Sequence, residues 1–184
     1  MIGVTVYLLL ICIELLFLIS ISIYFSSLIY SSIKGAPYVP TKRKVIDEIL
    51  YTAGLKKGKR FLELGCGDGR VVRQAVTTYH VDGVGIDINP VVLILAKIKS
   101  KIHNVHDIEW RTENVCDTNI SDFDFVYVFL MPEMLARLAP KFIKNGKKGA
   151  VIISHGFKIE GLESYLFKTL KRSPFPTYYY RLKG

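Results

Sequence analysis

Residues 6–25 hold 17 apolar residues in 20, interrupted by Glu14, Ser20 and Ser22, and no Lys or Arg occurs before Lys34. Twenty helical residues at about 1.5 Å each cover roughly 30 Å, the thickness of a bilayer's hydrocarbon core. The pattern predicts one membrane-crossing helix within residues 1–33. Beyond it the periodicity changes. Residues 34–41, carrying Gly35, Pro37 and Pro40, read as a stiff connector, which divides the chain into an anchor (1–33), a connector (34–41) and a domain (42–184). Val45, Ile46, Ile49, Leu50 and Ala53 then recur at helical spacing, with Thr41 as the expected cap and Gly54 as the stop.

Residues 60–64 form a short strand running into a glycine-rich turn, followed by a helix with Val71, Val72, Ala75, Val76 and Tyr79 on one face. A second strand is expected at 84–87, after which Asn89-Pro90 caps and opens a helix to about residue 102. Residues 108–111 make a weak third strand and 123–130 a strong fourth. Pro132 opens a helix with Met134, Leu135 and Leu138 inward; Pro140 is expected to kink or restart it and Gly146 to end it. Residues 150–153 are a fifth strand, and 166–170 and 178–182 are further candidates separated by Pro174 and Pro176. Strands alternating with helices predict an α/β domain with a parallel sheet covered on both faces.

Composition narrows the class. Half the 184 residues are hydrophobic and mean hydropathy is +0.28, which excludes a disordered chain. The part of the chain beyond residue 33 is the size of one compact domain. Met1-Ile2-Gly3-Val4 has no positive charge and the apolar run is long, so an uncleaved anchor is favoured over a signal peptide. Glu14 reads as a protonated or locally hydrated residue in that anchor. All 25 Lys and Arg and 15 of the 16 acids lie beyond the span, leaving that part at net +10. Lys34, Lys42, Arg43 and Lys44 follow the span directly, which places the domain on the cytoplasmic or mitochondrial matrix side. A net +10 suits anionic lipid, an acidic protein surface or nucleic acid. The basic residues are dispersed and their densest cluster adjoins the membrane, so lipid is preferred over nucleic acid. Cys12 lies in the span, and Cys66 and Cys116 match neither a disulfide framework nor a metal-ligand pattern, so a reducing compartment and no metal are expected.

The first strand ends in Glu63-Leu64-Gly65-Cys66-Gly67-Asp68-Gly69. A dinucleotide fingerprint would need a glycine where Arg70 stands, and no Gly-Lys-Ser/Thr follows for a phosphate loop. Glu63 suits a cationic ligand better than a pyrophosphate. This heptapeptide resembles the first motif of the class I S-adenosylmethionine-dependent methyltransferases. The resemblance implies a Rossmann-like sheet and S-adenosyl-L-methionine as cofactor. The loop of Gly65, Cys66, Gly67 and Gly69 would wrap the methionine part, with Glu63 reaching its ammonium. Asp87, 18 residues past Gly69, would accept both ribose hydroxyls, with Ile88 beside it. After the third strand, Asn114 and Val115 would meet the adenine, with Asp117 a weaker candidate.

A narrower resemblance covers nearly the whole chain. A membrane segment, Pro37-Tyr38-Val39-Pro40-Thr41, residues 63–70, Gly85-Ile86-Asp87-Ile88-Asn89-Pro90, Leu130-Met131-Pro132-Glu133 and Ser154-His155-Gly156-Phe157 follow one another in an order similar to the small membrane-anchored protein-lysine methyltransferases. Mitochondrial members of that family modify the ATP synthase c-subunit and the adenine nucleotide translocase. The chain departs from the family at Glu113-Asn114, where Gly-Asp is usual. The resemblance implies methyl transfer to a side chain, expected to be lysine, of a membrane-associated protein. A lysine acceptor must be neutral to offer its lone pair. Pro132 and Glu133 sit where the methyl would emerge, and Glu133 would hold the amine or take its proton through water. A glutamate in a first helical turn also simply suits the dipole. Tyr38 and Thr41 would close over the site, and His155 would relay a proton or serve as a hydrogen-bonded structural residue. A lipid or quinone headgroup, RNA, or a non-catalytic cofactor-binding scaffold are the rival readings, since fold does not decide substrate.

Overall fold

The computed structural model describes residues 2–33 and 41–183; Tyr38 and the rest of the connector up to Pro40 lie outside the described residues. Helix α1 (Ile2–Ile33) contains a stretch, Gly3–Ser26, long and apolar enough to cross a membrane and buried nowhere against the rest of the chain. The domain follows as α2 (Arg43–Ala53), β1 (Arg60–Leu64), α3 (Arg70–Tyr79), β2 (Asp82–Asp87), α4 (Pro90–Ile102), β3 (Ile108–Thr112), β4 (Phe125–Val128), α5 (Pro132–Asn145), β5 (Val151–His155), β6 (Leu166–Leu170) and β7 (Thr177–Arg181).

The strands form one sheet in the order β3-β2-β1-β4-β5-β7-β6. The first five run parallel, whereas β7 is antiparallel to both β5 and β6. The sheet is therefore mixed, which corrects the expectation of a wholly parallel one. A parallel return needs a crossover of about a dozen residues or more, and residues 171–176 are too few. Alternation along β1 builds the two cores. Phe61 joins Ile49, Leu50, Val72, Tyr127 and Ile153 on the face carrying α2 and α3, while Leu62 and Leu64 join Val126, Val128, Leu135, Leu138 and Phe142 on the face carrying α5. Right-handed crossovers put α3 and α4 on one face and α5 on the other, because chain progression reverses between β1 and β4. That reversal is the switch point where open α/β sheets hold ligands.

Several local expectations shift. The cap position of α2 falls on Lys42 and no side chain caps it; the Thr41 carbonyl instead accepts a hydrogen bond from Arg70 Nη1 at 3.1 Å. β4 is shorter than 123–130: Asp124 turns out of the strand, accepting the Arg60 N–H at 3.0 Å and pairing with Lys147 at 2.7 Å. β5 is longer and reaches His155 because β7 pairs along its whole length, His155 opposite Thr177. Pro140 does not restart α5, which continues as one helix to Asn145. Pro140 and Ala136 are both exposed, so the carbonyl that loses its partner one turn back faces water, where the loss is cheapest.

Candidate active site

The loop after β1 turns on three left-handed glycines, Gly65 (φ +72°), Gly67 (φ +52°) and Gly69 (φ +68°). Such conformations suit residues without a Cβ. Gly65 and Gly67 are half-exposed, so their backbone borders open space, whereas Gly69 is buried at the start of α3. Cys66 is buried beneath the loop, its N–H donating to Ile86 O at 2.8 Å, and burial pushes its thiol well above the ordinary range. The Cys66 side chain is thus packed beneath the loop and not presented on its open side.

Asp87 ends β2 and ties the loop down. One carboxylate oxygen accepts the Gly67 N–H and the other the Asn89 N–H, each at 2.9 Å. Burial raises its carboxyl, and the backbone N–H groups of Asn89, Gly67 and Ile88 pull against that shift. Ile88 is half-exposed beside it. Asn89 Oδ1 accepts the Val91 N–H at 3.0 Å and starts α4. Glu63 lies on the α3 face of β1 and is buried; its Oε2 accepts the Val72 N–H at 2.8 Å, pinning the first turn of α3 under the loop. Desolvation raises the Glu63 carboxyl well above the usual range.

Sequence reasoning missed the ionic lock on the loop's outer side. Asp68 is buried and bound by Arg70 through Nε at 2.9 Å and Nη2 at 2.8 Å, and by Lys99 of α4 at 2.6 Å. Burial acts to raise this carboxyl, but the hydrogen bonds from Arg70 and Lys99 override it and hold it well below the usual carboxylate range. Arg70, expected only as the residue that spoils a dinucleotide fingerprint, thus links the loop both to Asp68 and to the Thr41 carbonyl.

The turn after β3 is brought to Asp87 by the Glu113 N–H, which donates to Asp87 O at 3.1 Å. Asn114 shapes this turn, accepting the Cys116 N–H on Oδ1 at 3.0 Å. The Val115 side chain is buried in the α5-side core, which leaves its backbone rather than its side chain for a ligand, and Asp117 is exposed.

At the carboxyl ends of β4 and β5 a cleft of about 280 Å³ opens, lined by Thr41, Val45, Phe129, His155, Arg172 and Phe175 among others. Leu130 lies between this cleft and the glycine loop: a Cβ on Gly65 would stand 2.8 Å from its Cδ2. Pro132 and Glu133 are exposed in the first turn of α5 and are not among the cleft's lining residues. His155 is buried, its Nδ1 2.9 Å from Thr177 Oγ1, with the Phe129 ring edge-on at 4.6 Å and Phe175 at 6.0 Å. Burial lowers its pKa from 6.5 to about 4, so the ring is neutral near pH 7. The contribution of Phe129 and Phe175 was not visible in sequence, where both read as ordinary apolar residues.

Acid weakens this arrangement. The unfolded chain takes up the His155 proton near 6.5 and the folded chain only near 4, so between those values the unfolded state holds more protons and stability falls as pH falls. A difference of this size corresponds to about 3 kcal/mol across the window. His155→Gln is expected to remove that portion of acid sensitivity, measured as the change in unfolding temperature between pH 7 and pH 4.5 against the unmodified chain.

The family model for the ANTKMT methyltransferase domain matches residues 63–165, more than half of the chain. The chain belongs to that family. A protein-lysine N-methyltransferase of Saccharolobus islandicus is 31% identical over 138 residues, covering 71% of this chain and 83% of that protein. The adenine nucleotide translocase lysine N-methyltransferase of mouse is 26% identical over 124 residues; the match covers 67% of this chain and 54% of the mouse protein. Among solved structures, an RNA methyltransferase of Salinibacter ruber in complex with S-adenosyl-L-homocysteine superposes with a TM-score of 0.74 at 27% identity, over 79% of this chain and 94% of that one. A methyltransferase of Thiobacillus denitrificans, also with S-adenosyl-L-homocysteine, gives 0.57 at 18% identity, over 64% and 49%, a likeness of fold alone. This ANTKMT-family chain is thus a class I, S-adenosylmethionine-dependent methyltransferase. Its own residues fit that cofactor: open glycine backbone for close approach, an aspartate at the end of β2 for a diol, and a half-exposed Ile88 next to it.

Proposed function

We propose that this ANTKMT-family methyltransferase modifies the ε-amine of a lysine in a membrane-associated protein, with α1 crossing the bilayer and the domain on the cytoplasmic or matrix side. The cleft between Phe129, His155 and Phe175 carries the reading. Its aromatic walls suit the aliphatic stem of a lysine, and the positive charges of Lys42 and Arg172 in the same lining disfavour the ammonium form, leaving the lone pair that methyl transfer requires. The 31% identity to a protein-lysine N-methyltransferase supports the same acceptor.

The bound cofactor supplies an already activated methyl group. The chain's part is therefore to place the amine in line and to exclude water. Gly65, Gly67 and Asp87 would hold the cofactor, Ile88 and the backbone at Asn114–Val115 would meet its adenine, and Glu63 would face its methionine ammonium. Pro132 fixes the start of α5, and Glu133, exposed in its first turn and outside the cleft lining, is assigned to hold the approaching ammonium before its proton leaves to water. His155 titrates too low to take that proton near pH 7; it is a positioning residue that orients Phe129 and Phe175.

Glu133→Gln is expected to lower kcat/KM about tenfold, chiefly through KM, with cofactor affinity unchanged; an unaltered KM would remove Glu133 from the site. The acceptor class is tested with the full chain in vesicles, radiolabelled methyl donor and membranes from a strain lacking the gene. Label in a protein band, recovered as methyl-lysine after hydrolysis, is the expected result. Label confined to extracted lipid or to RNA, as the Salinibacter ruber likeness would suggest, would overturn the lysine assignment, and so would cofactor binding with no transfer at all.

A further inference from the structure

Helix α4 has two apolar faces. Val92, Leu93 and Ala96 are buried against the domain, yet Ile94, Ile98 and Ile102 are 56%, 49% and 69% exposed. Spacing of four residues places these three isoleucines in one stripe, turned away from the buried face. The other large apolar side chains exposed among the described residues of the domain, Tyr51, Ile143 and Phe167, lie singly on separate elements. Scattered exposed hydrophobics are ordinary in soluble domains, whereas a stripe marks a contact surface.

Three observations say what covers it. Lys97 and Lys101, both exposed, run along one flank of the stripe, the arrangement in which apolar residues enter a bilayer's headgroup boundary while lysines reach its phosphates. The far end of α4 lies where the chain enters the domain: Thr41 and Arg43 share a cleft of about 360 Å³ with Arg73, His103 and Val105. Exposed Lys42, Arg43 and Lys44 add positive charge there. Finally, α1 touches α4 yet leaves the three isoleucines half-exposed or more, so α1 itself does not cover them.

We propose that the outer face of α4 lies on the anionic surface of the bilayer that α1 crosses, with Ile94, Ile98 and Ile102 in the headgroup boundary and Lys97, Lys101 and Arg43 against lipid phosphates. This surface rests on the membrane reading of α1. It fixes the domain's orientation as well as its location. A tether alone lets the domain tumble, whereas a second contact holds the ends of β4 and β5 at a constant height above the membrane, favouring acceptors that project from it at that height.

The test uses the full chain in phosphatidylcholine/phosphatidylglycerol vesicles. Flotation comes first: a chain that fails to float would remove the anchor reading and this surface with it. In floating samples Ile98→Trp is expected to add emission of which more than half is quenched by phospholipid brominated on its acyl chains. Trp110, the one native tryptophan, serves as the constant background, and Ile143→Trp on the opposite face is expected to stay unquenched. Floating Ile98→Trp protein whose added emission is unquenched would overturn the proposal while leaving the anchor intact. Cross-linked dimers that Ile98→Asp abolishes would also overturn it, assigning the stripe to a second copy. The Ile94→Asp/Ile98→Asp chain is expected to keep its affinity for S-adenosyl-L-homocysteine and to methylate membrane-embedded acceptors about tenfold more slowly. Equal rates would count against the orienting role.

Discussion

Asp87→Ala is expected to lower the affinity for S-adenosyl-L-homocysteine about 100-fold or more, read by calorimetry on the full chain in detergent beside the unmodified protein. Two losses combine. The carboxylate accepts the Gly67 and Asn89 N–H groups at 2.9 Å each, so its removal frees the glycine loop and leaves two donors near the site without their acceptor. Hydrogen bonds to a charged acceptor contribute about 1.5–3 kcal/mol each, and a factor of 100 corresponds to about 2.7 kcal/mol. The loss of an acceptor for the ligand's diol adds to that. Asp87→Asn keeps the size but replaces one oxygen by a donor facing an N–H, so it should fall nearly as far. Affinity within threefold of the unmodified chain in either variant would remove Asp87 from the cofactor site.

Gly69→Ala is expected to destabilise the domain strongly, lowering the unfolding temperature by roughly 10 °C. Gly69 sits at φ +68°, and a Cβ there would lie 2.2 Å from Trp110 Cη2 and 3.3 Å from the Ala96 Cβ. A left-handed backbone at a residue with a side chain costs about 1–3 kcal/mol, and overpacking a filled site adds about 1–3 kcal/mol. Gly54→Ala separates the two contributions. It has φ +75° with no atom within 4 Å of the added Cβ, so only the backbone cost applies and about 1 kcal/mol is expected. Comparable losses at both positions would mean that Trp110 moves aside freely, and that the floor of the loop is softer than its packing indicates.

Much of this molecule was legible before folding. Gly65, Gly67 and Gly69 announce themselves because the left-handed turns they make exclude other residues, and Asp87 because its distance along the chain from that turn is set by one helix and one strand. The strands were readable from local periodicity, and their ends were not. β4 begins only at Phe125 and β5 reaches His155 because of what lies alongside, Asp124 bound to Arg60 in one case and β7 in the other. The antiparallel course of β7 was likewise a matter of its neighbours. That α5 runs on through Pro140 has a related reason: the proline's cost depends on whether the abandoned carbonyl faces water, and exposure is a tertiary property.

The candidate site divides along the same line. The residues proposed for the cofactor lie on consecutive strand ends, so the family resemblance could name the loop, Asp87 and the turn at Asn114 from the sequence. The Asp68–Arg70–Lys99 lock and the Phe129–His155–Phe175 cleft join residues far apart in the chain, and nothing in the spacing of a phenylalanine tells a cleft wall from core. The outward stripe on α4 is the sharpest case. Its sequence, PVVLILAKIKSKI, puts apolar residues on more than one side, so periodicity alone does not say which of them are buried. Only the packing of Val92, Leu93 and Ala96 against the domain reveals that Ile94, Ile98 and Ile102 face out. Thus the sequence by itself determined the fold class, the membrane-compatible helix and the cofactor chemistry, because each is written in local periodicity and residue type. The tertiary structure decided the strand ends, the aromatic cleft beside His155 and the outward face of α4, because burial belongs to the assembled surface and not to any one segment.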